Sequence, residues 1–280
     1  MARFRYVVAD VFTDTPLEGN QVAVFTDARD LPEEALQPLA REINFSETVF
    51  VYPAAGDGHA RMRIFTPATE LPFAGHPTLG TAFVLAGPMQ LVEIRLETGM
   101  GVVPVRLERE GTRIVFGWMS QPIPSVEPFD GEELLAALGV ERSELPIELY
   151  DNGMRNVYVC LASPDDVTRL RPDMSRLAEF GVVLGINCSA GSGTAWKTRM
   201  FAPGGGVPED PATGSAAGPL AVHLVRHGRV QPGEEIEISQ GAEIRRPSKL
   251  YARIGGTPEQ IESVDVGGSA VIVARGEFSL

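Results

Sequence analysis

Only two cysteines, Cys160 and Cys188, occur in 280 residues, each among apolar or small neighbours. A disulfide framework is excluded, and both read as buried, reduced thiols. Basic residues are also scarce: 24 Lys and Arg against 37 Asp and Glu give a formal charge of −13, with no basic run longer than Arg245-Arg246. The counterion-release footprint of a nucleic-acid binder is missing, so no nucleic-acid partner is expected. No apolar run reaches the 18 or so residues of a membrane span. The short run near the start is flanked by Arg3, Arg5 and Asp10, too short for a signal-peptide core. The expected setting is therefore the cytoplasm, with no membrane association.

What is present is ordinary globular material: 44% apolar and 22% charged residues, with 30 Gly and 22 Pro scattered along the chain. The length allows one large domain or two of usual size. A search for internal repeats decides between them. Arg63-Ile64-Phe65-Thr66-Pro67 returns as Arg199-Met200-Phe201-Ala202-Pro203, a shift of 136 residues. The same shift carries Asn20 to Asn156 and Val22-Ala23-Val24 to Tyr158-Val159-Cys160. Further on, Glu70-x-Pro72-x-x-Gly75 maps to Glu209-x-Pro211-x-x-Gly214 with a shift of 139. Two homologous halves are expected, 1–119 and 120–264, joined by the proline-rich stretch Gln121–Pro128. The last strand, about 265–280, is expected to complete the first half.

Within the first half, Phe4–Phe12, Gln21–Phe25, Thr48–Tyr52, Ala60–Phe65, Val92–Leu96, Val102–Glu108 and Arg113–Trp118 are short, rich in Val, Ile and Phe, and bounded by turn residues. They predict a mostly antiparallel, barrel-like sheet. Pro32–Ile43 has an amphipathic pattern and predicts a helix covering that sheet. Pro77–Ala86 and its counterpart Ala216–Leu224 are nearly free of charge on every face, which predicts buried central helices. Gly87-Pro88 is expected to stop the first. Ser215 is expected to cap the second and Gly228 to end it. The fold class is thus α+β, with two pseudo-symmetric halves each wrapping one buried helix.

Both central helices begin at the repeated glycine, Gly75-His76 and Gly214-Ser215. If the halves are related by a pseudo-twofold, the two N-termini face a shared cleft. Free N–H groups and the helix dipole there attract an anion, each end contributing about 0.3–1 kcal/mol. Such local dipoles are needed, because the acidic surface repels an anionic substrate at long range. By themselves these ends also fit ordinary helix starts with glycine for close packing.

The runs Asp10-Val11-Phe12-Thr13, Gly19-Asn20-Gln21-Val22-Ala23-Val24-Phe25, Asn44-Phe45-Ser46-Glu47-Thr48-Val49-Phe50, Glu70 to Gly75-His76, and Glu209-Asp210-Pro211-Ala212-Thr213-Gly214-Ser215 are similar to the phenazine-biosynthesis (PhzF-like) family, in its order and over residues 10–220. The resemblance implies the diaminopimelate epimerase-like fold and a cofactor-independent, metal-free isomerase acting on a small anionic unsaturated or cyclic amino or hydroxy acid. It implies an acid/base role for Glu47 and catalytic roles for His76 and Asp210. Asn20, Gly75, Thr213, Gly214 and Ser215 are the expected substrate-binding residues, and a homodimer is expected.

The residues agree with such chemistry, since moving a proton from carbon needs a poised base and a donor for developing charge. Glu47 precedes the apolar stretch Thr48–Tyr52, where partial burial raises a carboxyl pKa. Diaminopimelate epimerase places a cysteine before the repeated glycine in each half. Here those positions hold Ala74 and Thr213, so two-thiol racemisation is excluded. Gln21 replaces a frequent proline, and Phe73-Ala74 replace the usual pair before Gly75, which puts the substrate's identity in doubt.

Other signals carry less. Gly204-Gly205-Gly206 lacks the Lys-Ser/Thr of a phosphate loop. His223 and His227 have metal-compatible i, i+4 spacing but no third ligand in the sequence nearby, so a structural role is expected. His59 reads as a hairpin residue. Two alternatives to the isomerase remain: a catalytically silent small-ligand-binding protein of the same fold, and a racemase using non-cysteine bases such as Glu47 and Asp210.

Overall fold

The computed structural model describes residues 2–181 and 184–280. The chain divides into two compact units, Met1–Ser120 with Gly267–Leu280, and Gln121–Val266.

The first unit contains β1 (Arg3–Val11), β2 (Asn20–Phe25), α1 (Glu33–Ile43), β3 (Glu47–Pro53), β4 (Ala60–Phe65), β5 (Glu70–Leu71), α2 (Gly75–Met89), β6 (Glu93–Thr98), β7 (Gly101–Glu110) and β8 (Arg113–Gln121). The second contains β9 (Ser125–Pro128), α3 (Glu132–Leu138), β10 (Glu148–Asp151), β11 (Arg155–Cys160), α4 (Pro164–Arg169), α5 (Met174–Ala178), β12 (Leu184–Ser192), β13 (Ala195–Ala202), β14 (Val207–Asp210), α6 (Gly214–Arg226), β15 (Glu235–Gln240), β16 (Ser248–Gly256) and β17 (Ile261–Gly268). The last strand, β18 (Ala270–Ser279), pairs antiparallel with β1 over its whole length.

The repeat seen in the sequence is a repeat of pairing rules. In the first unit β1–β2 is antiparallel, β2–β3 parallel, β3–β4 antiparallel, β4–β6 parallel and β6–β7 antiparallel. In the second, β10–β11 is antiparallel, β11–β12 parallel, β12–β13 antiparallel, β13–β15 parallel and β15–β16 antiparallel. The parallel pairs need crossovers, and α1 and α2 supply them in the first unit, as α6 does between β13 and β15. Each sheet is α+β and mostly antiparallel, as the strand pattern predicts.

The duplicated R-x-F-x-P and E-x-P segments have one job in both units. Arg63 on β4 forms a bidentate pair with Glu70 on β5, through Nε and Nη2 at 2.7 Å each. Arg199 on β13 does the same with Glu209 on β14 at 2.8 Å each. The guanidinium fork clamps the short strand that leads into each central helix.

That helix is buried from Gly75 to Val84 and packs on β1, β2, β3, β6 and β18. α6 is buried from Gly214 to Val225 and packs on β11 and β16. Apolar side chains all round suit a helix with no solvent face. Gly80 shows how tight the fit is, since an added Cβ would lie 2.7 Å from Val22 Cγ1 and 2.8 Å from Val11 Cγ2. Gly80→Ala is expected to destabilise the fold by about 1–3 kcal/mol, read as a lower urea midpoint at unchanged slope.

Two helix-end expectations need correction. Gly87-Pro88 does not stop α2, which runs on to Met89 and closes at left-handed Gln90. Proline removes one N–H only in the last turn, and the Arg109 guanidinium donates to the Ala86 carbonyl at 2.7 Å. Ser215 does not cap α6. The N-cap is Thr213, which makes no side-chain capping bond, and Ser215 is the helix's second residue. Gly228 does end α6, at φ +67, with Arg229 N donating to Leu224 O.

Candidate active site

Glu47 owes its place to a sharp join. Asn44 takes the left-handed conformation at φ 57 and closes α1 by donating its N–H to Ala40 O at 3.0 Å. Asparagine tolerates that region better than most residues. β3 then starts three residues later, on Glu47, whose side chain is 15% exposed. Asn20, the first residue of β2, is reached through a loop that Asp10 pins by accepting from Leu17 N at 2.7 Å. Gly19 at φ +67 completes the loop, and a Cβ there would collide with Val11 O.

His76, the second residue of α2, meets both. Its Nδ1 is 3.2 Å from Asn20 Nδ2, and its Nε2 is 3.2 Å from Gln21 O and 3.4 Å from Glu47 Oε2. Ser46 Oγ donates to Asn20 Oδ1 at 2.9 Å. Burial pushes the His76 pKa down to about 3, against a smaller upward pull from the Gln21 carbonyl. The imidazole is therefore neutral at physiological pH.

That burial has a consequence for stability. The unfolded chain protonates His76 near pH 6.5 while the folded chain does so only near 3. Between those values the unfolded state binds more protons, so stability falls as pH drops, by roughly 1.4 kcal/mol per unit. His76→Gln is expected to flatten that part of the stability–pH curve. Urea midpoints from pH 6.5 to 4 check it, and an unchanged slope would contradict it.

The second unit builds a different station. Asp210 ends β14 and accepts the Thr213 hydroxyl through Oδ2. Gln240 brackets both, donating to Asp210 O at 2.7 Å and accepting from Thr213 N at 3.1 Å. Gln121 donates to Gly214 O at 2.8 Å, and Asn152 to Ser215 O at 3.0 Å. Neither α2 nor α6 carries a side-chain cap, so first-turn amides of Gly75, His76, Gly214 and Ser215 stay free of side-chain capping partners.

The structure thus brings Asn20, Glu47, Gly75 and His76 together in one unit, and Asp210, Thr213, Gly214 and Ser215 in the other. Sequence reasoning overlooked Ser46, Gln240, Gln121 and Asn152. Ser46 lies inside the Asn44–Phe50 run, next to Glu47. The other three act across 27 to 93 residues, and nothing local marks them.

His223 and His227 do have a third potential ligand, on β10. Glu148 Oε2 lies 3.2 Å from His223 Nδ1 and 2.9 Å from His227 Nε2, and the ligand atoms fall within 4.8 Å of one another. The same oxygen also accepts from Tyr150 at 2.8 Å and stands 3.5 Å from the Arg226 guanidinium. Hydrogen bonds from His223, His227 and Tyr150 hold this carboxyl well below the usual range despite burial. A cation already faces the oxygen, so the cluster reads as an ion-pair hub tying the end of α6 to β10.

The sequence profile described as "Phenazine biosynthesis-like protein" matches residues 9–276. The chain belongs to this family. It is 52% identical over 277 residues to trans-2,3-dihydro-3-hydroxyanthranilate isomerase of Pseudomonas aeruginosa, covering 99% of each chain. Among solved structures it matches a Bacillus anthracis phenazine biosynthesis protein of the PhzF family at TM-score 0.86 and 26% identity, over 100% of both chains. A hydroxyproline epimerase from Agrobacterium vitis shares the fold at TM-score 0.70 and 12% identity, with 98% of this chain and 92% of the epimerase covered. The family assignment makes the chain a proton-shift isomerase. No helix among the described residues is long and apolar enough to cross a membrane.

Proposed function

We propose that this PhzF-family isomerase acts on trans-2,3-dihydro-3-hydroxyanthranilate or a close analogue, with Glu47 as the single proton carrier. The observation that carries the reading is the Glu47 carboxylate, mostly buried at the start of β3, with one oxygen 3.4 Å from a neutral imidazole. A carboxylate held this way can accept a proton from carbon and return it without leaving its place.

The substrate's name supplies the balance. The hydroxyl-bearing carbon holds a hydrogen beside a ring diene. That C–H bond breaks toward Glu47, its electron pair extends through the diene, and a new C–H bond forms at the diene's far carbon. Nothing is oxidised or reduced, and no co-reactant enters. The substrate's carboxylate suits the uncapped first-turn amides of α2, in the same unit as Glu47.

A racemase whose second base stands at the pseudo-equivalent position of Glu47 is disfavoured. Counted from the Arg63/Arg199 match across β3–β4 and β12–β13, the counterpart of Glu47 is Gly185; counted from Val22/Tyr158 across the parallel pairs, it is Asn187. Neither side chain can serve as an acid or base, and β12 contains no acidic residue. Asp210 is proposed as a second residue needed for turnover, so Asp210→Asn should lower kcat/KM while leaving the urea midpoint near wild type. A homodimer working in the cytoplasm completes the reading, on the family resemblance. Light scattering tests the dimer.

The direct test is incubation of purified protein with trans-2,3-dihydro-3-hydroxyanthranilate, following its NMR spectrum. Conversion to an isomer of equal mass supports the proposal. Binding by calorimetry without conversion would instead identify a silent binder.

A further inference from the structure

The Gln21 carbonyl fixes every proton in the chain of hydrogen bonds behind Glu47. A carbonyl only accepts, so His76 Nε2, 3.2 Å away, must carry a hydrogen. The ring is neutral and has one N–H, so Nδ1 is a bare lone pair. Asn20 then presents Nδ2 to it as donor, at 3.2 Å. The amide's oxygen faces the other way and takes the Ser46 hydroxyl at 2.9 Å. The opposite amide orientation would place the Nε2 lone pair against both the Gln21 carbonyl and the Glu47 carboxylate. Asn20 is 1% exposed and His76 3%, so solvent does not supply an alternative partner easily.

We propose that Asn20 is a positioning residue rather than a substrate ligand: with Ser46 it locks His76 in the Nε2–H tautomer, whose N–H faces the Gln21 carbonyl and sets the imidazole edge 3.4 Å from Glu47 Oε2, so that His76 supports Glu47 electrostatically and does not itself exchange a proton with substrate. This inference rests on Glu47 being the proton carrier, and extends that reading to the residues behind it.

Two measurements test it separately from activity and through activity. Imidazole nitrogen NMR of the wild type, with the His76 signals assigned by their loss in His76→Gln, needs no substrate. A pyridine-type Nδ1 and a pyrrole-type Nε2 between pH 5 and 8 are expected. A protonated Nδ1 there would overturn the tautomer assignment whether or not the protein is an isomerase. In Asn20→Asp the new carboxylate accepts from Nδ1, so both ring nitrogens should become pyrrole-type or the tautomer should reverse. kcat should then fall about a hundredfold, the scale of a misplaced catalytic group, with KM within threefold.

The replacement series at residue 76 separates donor from proton carrier. The glutamine amide nitrogen reaches the place of Nε2–H, and leucine offers nothing. His76→Gln is expected to keep about a tenth or more of wild-type kcat, and His76→Leu to lose roughly a hundredfold or more. Equal, near-complete loss in both, with folded protein by circular dichroism, would show that the imidazole itself moves protons and would overturn the proposal. If no substrate is turned over by the wild type, the NMR result alone decides the tautomer, and the isomerase reading fails by itself.

Discussion

Glu47→Gln should lower kcat by about 10³- to 10⁴-fold, the contribution of a positioned general base, while KM or the substrate dissociation constant changes only a few-fold. Glutamine keeps the shape of the side chain and its hydrogen-bonding reach, but it cannot hold the proton in transit. An interaction made only during the chemical step appears in kcat and not in ground-state binding. The split matters because Glu47 also lies 3.4 Å from His76. A purely structural carboxylate would instead show a lower unfolding midpoint and raised KM with kcat largely kept. Steady-state kinetics and urea titration of one variant separate the two.

The largest effect on stability is expected at Arg199. Its guanidinium is 6% exposed, pairs with a 9% exposed Glu209, and gives Nη1 to the carbonyls of Val167, Thr168 and Leu170. Arg199→Met removes the cation and leaves a buried carboxylate without its main partner. The expected loss is about 3–5 kcal/mol. Its pseudo-equivalent makes the control, because Arg63 pairs with Glu33 and Glu70 whose side chains are 72% and 42% exposed. There solvent screens the pairing, and Arg63→Met should cost about 1 kcal/mol or less. Equal losses at the two positions would mean that burial does not set the strength of the clamp.

Those two arginines also show what could be read before any coordinates. Their repetition revealed the duplication, yet the sequence alone could not say whether the repeated residues did chemistry or held strands. The answer is structural: the clamp is common to both units, while Glu47 has no acidic counterpart on β12. Strands were legible because runs such as Val22-Ala23-Val24-Phe25 combine β-branched residues with clear turn boundaries. Both central helices were legible from their lack of any polar face.

Helix ends were less so. Pro88 and Ser215 follow general preferences for stops and caps, but Arg109, which reaches Ala86 O from β7, and the neighbouring Asp210–Thr213 pair accompany different ends. In the candidate site, Glu47, His76 and Asn20 stood out only within family-like blocks. The near-complete burial of Asn20 and its bonds to Ser46 and His76, which support the positioning role proposed above, form only in the folded chain. The third partner of His223 and His227 was invisible for a related reason, since Glu148 lies 75 residues before His223 and meets it only in the folded chain.

The account is tested most directly by hydrogen exchange at carbon. Wild-type protein and Glu47→Gln are each incubated with trans-2,3-dihydro-3-hydroxyanthranilate in heavy water, and deuterium in the product is located by NMR. The account predicts isomerised product bearing deuterium at one ring carbon with the wild type, and neither product nor label with the variant. Label entering at the wild-type rate when residue 47 is glutamine would contradict it.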